Sequence, residues 1–207
     1  MKTMFIAICL FAFISEGAAQ KVDMEVMKDR IIDKVNDFQC QLEILANGDN
    51  LQTTRKSAAE SAKKLFMGLG GRYTYTMNYV NYTDTSHMET VNVNYPWIKY
   101  HKPVKIYLDK MSVTSYETHI EATKEVSVDN PRKLSDGRYQ ATTHIGQKFT
   151  RIRDGKITYI DYTWKDIVVF IETYEDEFGV EYIIRLEDCN VASVSKDPIP
   201  YNLQGNE

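Results

Sequence analysis

Acid–base chemistry is the catalytic class for which this sequence offers residues of suitable type. Asp161 lies in an aromatic segment between Tyr159 and Trp164, and His144 lies in the segment before it. A carboxylate or imidazole in apolar surroundings can act as a general base, and a tyrosine hydroxyl can stabilise the charge of a developing enolate. Because the same residue types also occur in strands that only pack, this set indicates a reaction class without requiring one.

The same segments also offer a binding surface that needs no activated group. We predict that an aromatic pocket holds a small molecule or a peptide and is lined by Tyr139, Thr143, Tyr162 and Trp164. In a strand, Tyr162 and Trp164 point to one face and Asp161 to the other, so binding and catalysis require opposite faces to be inside. We expect Asp161 to be exposed, because burying a carboxylate without partners is costly.

The sequence therefore favours a non-catalytic binding domain and leaves the question of an enzyme open. One alternative is an acid–base enzyme of the isomerase or dehydratase type, which would use the same pocket. Another is a structural or assembly component of the cell envelope that uses an exposed sheet edge.

Motifs for metal, nucleotide and nucleophilic chemistry are incomplete. The pairs His87/Glu89 and His119/Glu121 have a His-x-Glu spacing, but neither HExxH nor the Pro-Cys-x-x-Cys of zinc deaminases is present. The glycines within 68–71 follow a helical segment rather than a strand, so they predict a helix end and not a phosphate-binding loop. No Gly-x-Ser-x-Gly motif occurs. We expect no metal site and no cofactor.

The composition is that of an ordinary globular protein. Lys and Arg total 25 against 29 Asp and Glu, which gives a net charge of −4 and leaves no basic excess for nucleic-acid binding. Cys40 and Cys189 are both predicted on the polar faces of their elements, which favours free thiols over a disulfide between them.

Residues 1–19 have the organisation of a secretory signal peptide. Lys2 supplies a positive charge, an apolar run covers 4–14, and small residues at 17–19 favour cleavage before Gln20. The apolar run is too short to cross a hydrocarbon layer of about 30 Å. We therefore predict export to the periplasm or the extracellular space, with no transmembrane segment in the mature chain.

Hydrophobic periodicity predicts two helices at the start of the mature chain. Apolar residues from Met24 to Leu45 recur at steps of three and four, and Gly48 would end this helix as a left-handed cap. A second helix is predicted from Thr53 or Thr54 to Leu69. Both helices have an apolar stripe that must be buried.

Strands are predicted from residue 72 onwards, where the period changes to two. The segment 104–108 is one strand candidate, and three longer strands cover 138–152, 156–172 and 180–194. Asp154 and Gly155 predict a hairpin turn between the first two long strands. Gly146 predicts a bulge or bend, so we expect a strongly curved antiparallel sheet.

This layout resembles the NTF2-like (SnoaL-like) cone fold, in the form found in exported, functionally unassigned proteins of Bacteroidetes. The residues that carry the resemblance are 38–49, 62–70 and the three long strands. It implies an α+β fold with two N-terminal helices packed on a curved sheet around a conical pocket. One such domain would cover 22–196, with a loose tail at 197–207, and a homodimer is compatible with it. The fold hosts isomerases, dehydratases and binding proteins alike, so it does not choose the function.

Overall fold

The computed structural model of the protein describes five stretches of the chain. These are residues 22–77, 79–92, 94–114, 117–176 and 179–197. The predicted leader at 1–19 and all of the predicted tail except Asp197 lie outside the described residues. Export and cleavage therefore stay predictions.

The architecture is α+β, as the periodicity predicts. The described helices are α1 (Met24–Ala46), α2 (Gln52–Lys63) and α3 (Val104–Ser112). The described strands are β1 (Arg72–Met77), β2 (Val80–Thr85), β3 (His87–Val91), β4 (Lys99–Pro103), β5 (Glu117–Ala122), β6 (Ser127–Val128), β7 (Arg132–Lys133), β8 (Tyr139–Arg153), β9 (Lys156–Asp176) and β10 (Gly179–Ser195).

The strands form one large mixed sheet and one separate hairpin. In the large sheet, six strands lie in the order β4-β3-β10-β9-β8-β5, and β6 and β7 also pair with β8. Among the strand pairs formed by described residues, β3 with β10 is parallel and the others are antiparallel. The hairpin consists of β1 and β2.

The first helix buries the apolar stripe that its sequence predicts. Asp23 caps its N-terminus, because its carboxylate accepts hydrogen bonds from the backbone N–H groups of Glu25 (2.9 Å) and Val26 (3.2 Å). The fully buried side chains follow the helical period and are Met27, Ile31, Val35, Phe38, Leu42 and Leu45. This stripe belongs to the main hydrophobic core, together with residues of the large sheet.

The end of α1 differs from the prediction of a left-handed glycine cap. The capping residue is Asn47, and Gly48 is not among the described residues with positive φ. A Cβ atom on Gly48 would lie 2.9 Å from the Cα atom of Glu117. Glycine is therefore needed here for the close approach of β5 and not for its backbone freedom.

The second helix ends earlier than predicted, at Lys63 rather than at Leu69. Beyond it, the carbonyl of Leu65 accepts a hydrogen bond from the backbone N–H of Leu186 (2.9 Å), so the chain leaves the helix to contact β10. Gly68 then takes a positive φ of 55°, a conformation that costs glycine little because it has no Cβ atom.

The third helix corrects the strand predicted at 104–108. Val104 and Leu108 lie four residues apart and are both fully buried, whereas Ile106 is 55% exposed. That spacing puts the buried pair on one face of a helix. A short apolar run fits both the strand and the helix period, and here the core contacts of the two residues decide for the helix.

A buried arginine fixes the position of α3. Arg55 of α2 donates hydrogen bonds to the backbone carbonyls of Leu45 (2.9 Å), Thr114 (2.9 Å) and Met111 (2.5 Å). It thereby joins the C-terminal ends of α1 and α3. Such multiple bonds satisfy the guanidinium donors, which explains how this charged group is buried.

The three long strands lie close to their predicted bounds. β8, β9 and β10 are paired along most of their length. Asp154 and Gly155 form the turn between β8 and β9 with positive φ angles of 52° and 69°. The predicted hairpin turn is therefore confirmed.

A bulge in β10 reverses the alternation of its side chains. Leu186 pairs with Val169 and Cys189 with Ile167, so β10 has one residue more than β9 between these pairs. As a result Cys189 is fully buried, whereas the sequence predicts it on a polar face. Cys40 is exposed, and both thiols are free.

Gly146 does not mark the predicted bulge. It pairs in register with Trp164 across β8 and β9. A Cβ atom on this residue would lie 2.6 Å from Thr123 Oγ1 and 3.3 Å from the Trp164 ring. Glycine at this position therefore leaves space for the side chains of Thr123 and Trp164, which lie against its backbone.

The core lies between α1 and one face of the large sheet, which we call the inner face. Its buried side chains on that face are Ala141, Ile145, Ile167, Val169, Ile171, Ile184 and Leu186. Further along β8 and β9, towards their connecting turn, the inner face becomes polar. The polar part of the inner face is where the candidate site lies.

Candidate functional site

A cavity of about 320 Å³ lies on the polar part of the inner face. Residues of β3, α3, β5, β8, β9 and β10 contribute to its walls. The apolar and aromatic lining residues are Val91, Tyr107, Met111, Ile120, Phe149 and Val191. The polar lining residues are Glu89, Thr90, Thr114, Thr118, Gln147, Arg151, Asp161, Thr163 and Lys165. This volume suits a small molecule.

The polar stripe of the cavity follows from the alternation of side chains in two paired strands. Asp161, Thr163 and Lys165 are alternate residues of β9, so they point to the same face. On β8, Gln147 pairs with Thr163 and Phe149 with Asp161. One face of one hairpin therefore presents a cation, an anion and an amide to the same cavity.

Asp161 is buried, and the prediction that it is exposed is wrong. Its side chain is only 5% exposed and lines the cavity. Thr163 Oγ1 donates a hydrogen bond to Asp161 Oδ1 (3.0 Å), which supplies a partner that the sequence did not suggest. Burial together with the nearby Asp161 charge raises the pKa of Tyr159 on the same strand.

Lys165 is a buried cation without a partner among the described residues. It is 8% exposed and lines the cavity, but none of the hydrogen bonds or salt bridges of the described chain involves its Nζ atom. An unpaired ammonium group in such a position is costly, and natural proteins seldom keep one without a reason.

Tyr107 of α3 lines the same cavity. Burial raises the pKa of its hydroxyl, the positive charge of Lys165 opposes this shift, and the negative charge of Asp161 adds to it. These opposite effects indicate that Lys165 and Asp161 both lie within electrostatic reach of the Tyr107 hydroxyl. With its pKa raised, the hydroxyl stays protonated at neutral pH and can donate a hydrogen bond.

Gln147 adds a second unsatisfied group. The residue is 3% exposed, and its amide Nε2 atom is buried without a hydrogen-bond acceptor. A buried donor that has lost its water contacts and gained no partner lowers the stability of the fold. The cavity is the space into which this side chain projects.

Glu89, by contrast, has partners for its buried carboxylate. It accepts a hydrogen bond from the backbone N–H of Val191 (2.8 Å) and forms a salt bridge with Lys99 (3.2 Å). His101 Nε2 lies 3.8 Å from the same carboxylate. The Glu89 carboxylate therefore links β3, its own strand, to β4 and β10.

None of the four residues predicted to line a pocket lines this cavity. Thr143 is fully buried, and its hydroxyl donates to the carbonyl of Ile167 (3.3 Å). Tyr139 packs against the core near the far end of β8. Tyr162 and Trp164 belong to the face of β9 opposite to Asp161. The structure therefore does not bring these four residues together at one site.

Within the described stretches of the chain, the four histidines form no metal centre with the residues around them. His144 contacts Asp166 (2.8 Å) and Asp129 (3.2 Å), and these hydrogen bonds, the one to Asp166 first, raise its pKa against the opposing effect of burial. His119 lies 3.6 Å from Glu117. Among the described residues, no group of three or more His, Cys, Asp or Glu side chains is arranged to hold a metal ion.

Sequence reasoning missed Lys165, Gln147 and Tyr107. The signal for Lys165 was present, because it shares strand parity with Asp161 and the two must lie on the same face. Gln147 has the parity of Ile145, which the sequence places on an apolar face. Tyr107 could not be found, since its segment was predicted as a strand rather than as a helix.

Comparison of the chain with models of protein families, with curated proteins and with solved structures gives no match. Within the stretches that the structure describes, no helix is both long and apolar enough to cross a membrane.

Proposed function

We propose that the protein is an exported small-molecule-binding domain of the NTF2-like type that holds its ligand in the inner-face cavity. The observation that carries the proposal is Lys165, a cation more than nine-tenths buried that lines the cavity and lacks a partner among the described residues. A ligand would give it one. The order of elements, with α1 and α2 first and β8 to β10 last, supports the NTF2-like assignment.

The character of the lining refines the kind of ligand. The sequence predicts an aromatic pocket, but charged and amide groups share the cavity with the aromatic rings of Tyr107 and Phe149. A volume of about 320 Å³ favours a small molecule over a folded peptide. The ligand should therefore combine a polar group with an apolar body.

The proposal can be tested by filling the cavity. Val91 lines it at the end of β3, so Val91→Trp should occupy the ligand space. Val80→Trp is the matched control, because Val80 is 50% exposed on β2 and does not line the cavity. Both variants and the unchanged protein are screened by thermal shift against a library of small molecules.

We expect some compounds to raise the melting temperature of the unchanged protein and of Val80→Trp, but not of Val91→Trp. Ligand binding to the folded state raises stability by mass action, so the shift should grow with compound concentration. A library without a single compound that distinguishes Val91→Trp from the two others would contradict the proposal.

Acid–base catalysis is the second candidate, and the burial of Asp161 favours it. Asp161 and the Tyr107 hydroxyl face one cavity, where the carboxylate could accept a proton and the hydroxyl could donate a hydrogen bond to a developing oxyanion. For a compound found in the screen, Asp161→Asn should abolish turnover while binding persists. A compound that is bound but never converted by the unchanged protein leaves binding as the function.

A further inference from the structure

Three hydrogen-bond donors of the cavity lack acceptors among the described residues. They are the ammonium group of Lys165, the amide Nε2 of Gln147 and the hydroxyl of Tyr107. The first two belong to side chains that are more than nine-tenths buried. A set of unsatisfied donors that line one cavity is complementary to a group with several acceptor atoms.

The strand register places two of these donors close enough to share one ligand group. Gln147 pairs with Thr163, and Lys165 is the next residue along β9 on the same face, so the two are diagonal neighbours. Diagonal neighbours in an antiparallel pair lie about 7–8 Å apart, a distance that long side chains readily span. One group of a ligand can therefore contact both.

The described charged groups around the cavity leave the ammonium group of Lys165 without a contacting counter-charge. Glu89 is paired with Lys99, and Asp161 accepts from Thr163 without a salt bridge to Lys165 within 4 Å. A carboxylate on the ligand would contact Lys165, whereas a second negative charge would face Asp161 and Glu89.

We propose, on the basis of the binding function above, that the ligand is a small monocarboxylic acid whose carboxylate contacts Lys165 and Gln147. The apolar body of the acid lies against Phe149, Met111 and Ile120, which also line the cavity. The two carboxylate oxygens offer enough lone pairs to accept from all three donors. Asp161 excludes dicarboxylates by charge repulsion.

The experiment compares acids with their neutral counterparts on the unchanged protein. The probes are phenylacetate and hexanoate, their primary amides, and succinate as a dicarboxylate, with binding measured by isothermal titration calorimetry. We expect each monocarboxylate to bind about ten- to a hundredfold more tightly than its amide, as for one or two charge-assisted hydrogen bonds. Succinate should bind no better than the amides.

Two lysine variants show whether Lys165 is the source of this preference. Lys165→Met keeps the length of the side chain without its charge, and it should bring acid and amide to similar affinity. Lys156→Met is the matched control on the same strand, because Lys156 is exposed and does not line the cavity, and it should keep the preference. Circular dichroism verifies that both variants are folded.

The outcomes separate this inference from the binding function on which it rests. Cavity-dependent binding, lost in Val91→Trp, with the amides equal to the acids would overturn the carboxylate proposal and leave the binding function intact. The carboxylate proposal is also overturned if Lys165→Met keeps the preference for acids or if no acid of the panel binds. A screen in which no compound loses its effect in Val91→Trp would contradict both the binding function and the carboxylate proposal.

Discussion

The two tryptophans of the chain have opposite surroundings. Trp164 is 6% exposed, and the Nζ atom of Lys124 lies 4.7 Å from its ring centroid, whereas Trp97 is 75% exposed. We expect Trp164→Ala to lower the free energy of unfolding by about 3–5 kcal/mol, because it empties a packed space. Trp97→Ala should lower it by less than about 0.5 kcal/mol. Urea unfolding followed by circular dichroism measures both, and equal losses would contradict the packing of Trp164.

His144 makes stability depend on pH. The hydrogen bond to Asp166 raises the pKa of His144 in the folded protein. The contribution of the protonated imidazole to the free energy of unfolding is therefore fully present below about pH 6.5, and it is lost as the pH rises through the raised pKa. His144→Asn should therefore cost more stability at about pH 5.5 than at about pH 9.

Urea midpoints of the His144→Asn variant and the unchanged protein at the two pH values test this expectation. Asp166→Asn removes the main partner of the imidazole and should reduce the same pH dependence. A loss in His144→Asn that is equal at both pH values would show that the imidazole does not gain a proton on folding.

Asp161 shows why a site is harder to predict than a strand. Its face on β9 follows from parity, but which face is inside depends on α1 and α3, which lie far away in the chain. The hydrogen bond from Thr163, two residues on, removes part of the burial cost that made exposure the expected outcome. The desolvation of a carboxylate and its hydrogen-bond partners are properties of the folded molecule. Residue types alone therefore could not decide whether Asp161 is buried or exposed.

At the scale of elements, the packing of α1 has a direct test. Leu42 is fully buried at the centre of the stripe, so Leu42→Ala should cost about 2–5 kcal/mol. Phe38→Ala should cost a similar amount, since Phe38 is also fully buried and its ring meets that of Phe66 edge to face at 4.9 Å. Gln41 is neither buried nor part of the stripe, and Gln41→Ala should change stability by less than about 0.5 kcal/mol. Similar urea midpoints for Leu42→Ala and Gln41→Ala would mean that α1 does not dock on the sheet.

The elements that the sequence predicts well are those with long, regular periods. α1 has a stripe over six turns, and β8 to β10 have alternation over many residues with a recognisable turn at Asp154 and Gly155. α3 has only nine residues, and its apolar residues fit both the strand period and the helix period. Only the burial of Val104 and Leu108 in the core decides for a helix. The bulge before Cys189 has no sequence signal, because the extra residue of a bulge is of the same type as other strand residues.

At the scale of the whole molecule, the leader can be tested directly. Lys2, the apolar run at 4–14 and the small residues at 17–19 predict cleavage before Gln20. Intact-mass analysis of the protein made in a Gram-negative host should show a chain that begins at or near Gln20. A product in the cytoplasm that still carries the leader would contradict export.

The dependence of α1 on the last strands has a consequence for how the chain acquires its structure. The stripe of α1 shares one hydrophobic core with residues of β8, β9 and β10, and the backbone N–H of Asp23 donates to the hydroxyl of Tyr182, 159 positions later. During synthesis the first helix emerges early, but the surface that covers it is completed only when β10 has left the ribosome. Contacts so distant in sequence slow folding and leave apolar surface open to association in the meantime. A nascent chain that stops short of β10 thus leaves part of the apolar stripe of α1 uncovered, and exposed apolar surface of this kind is what molecular chaperones bind.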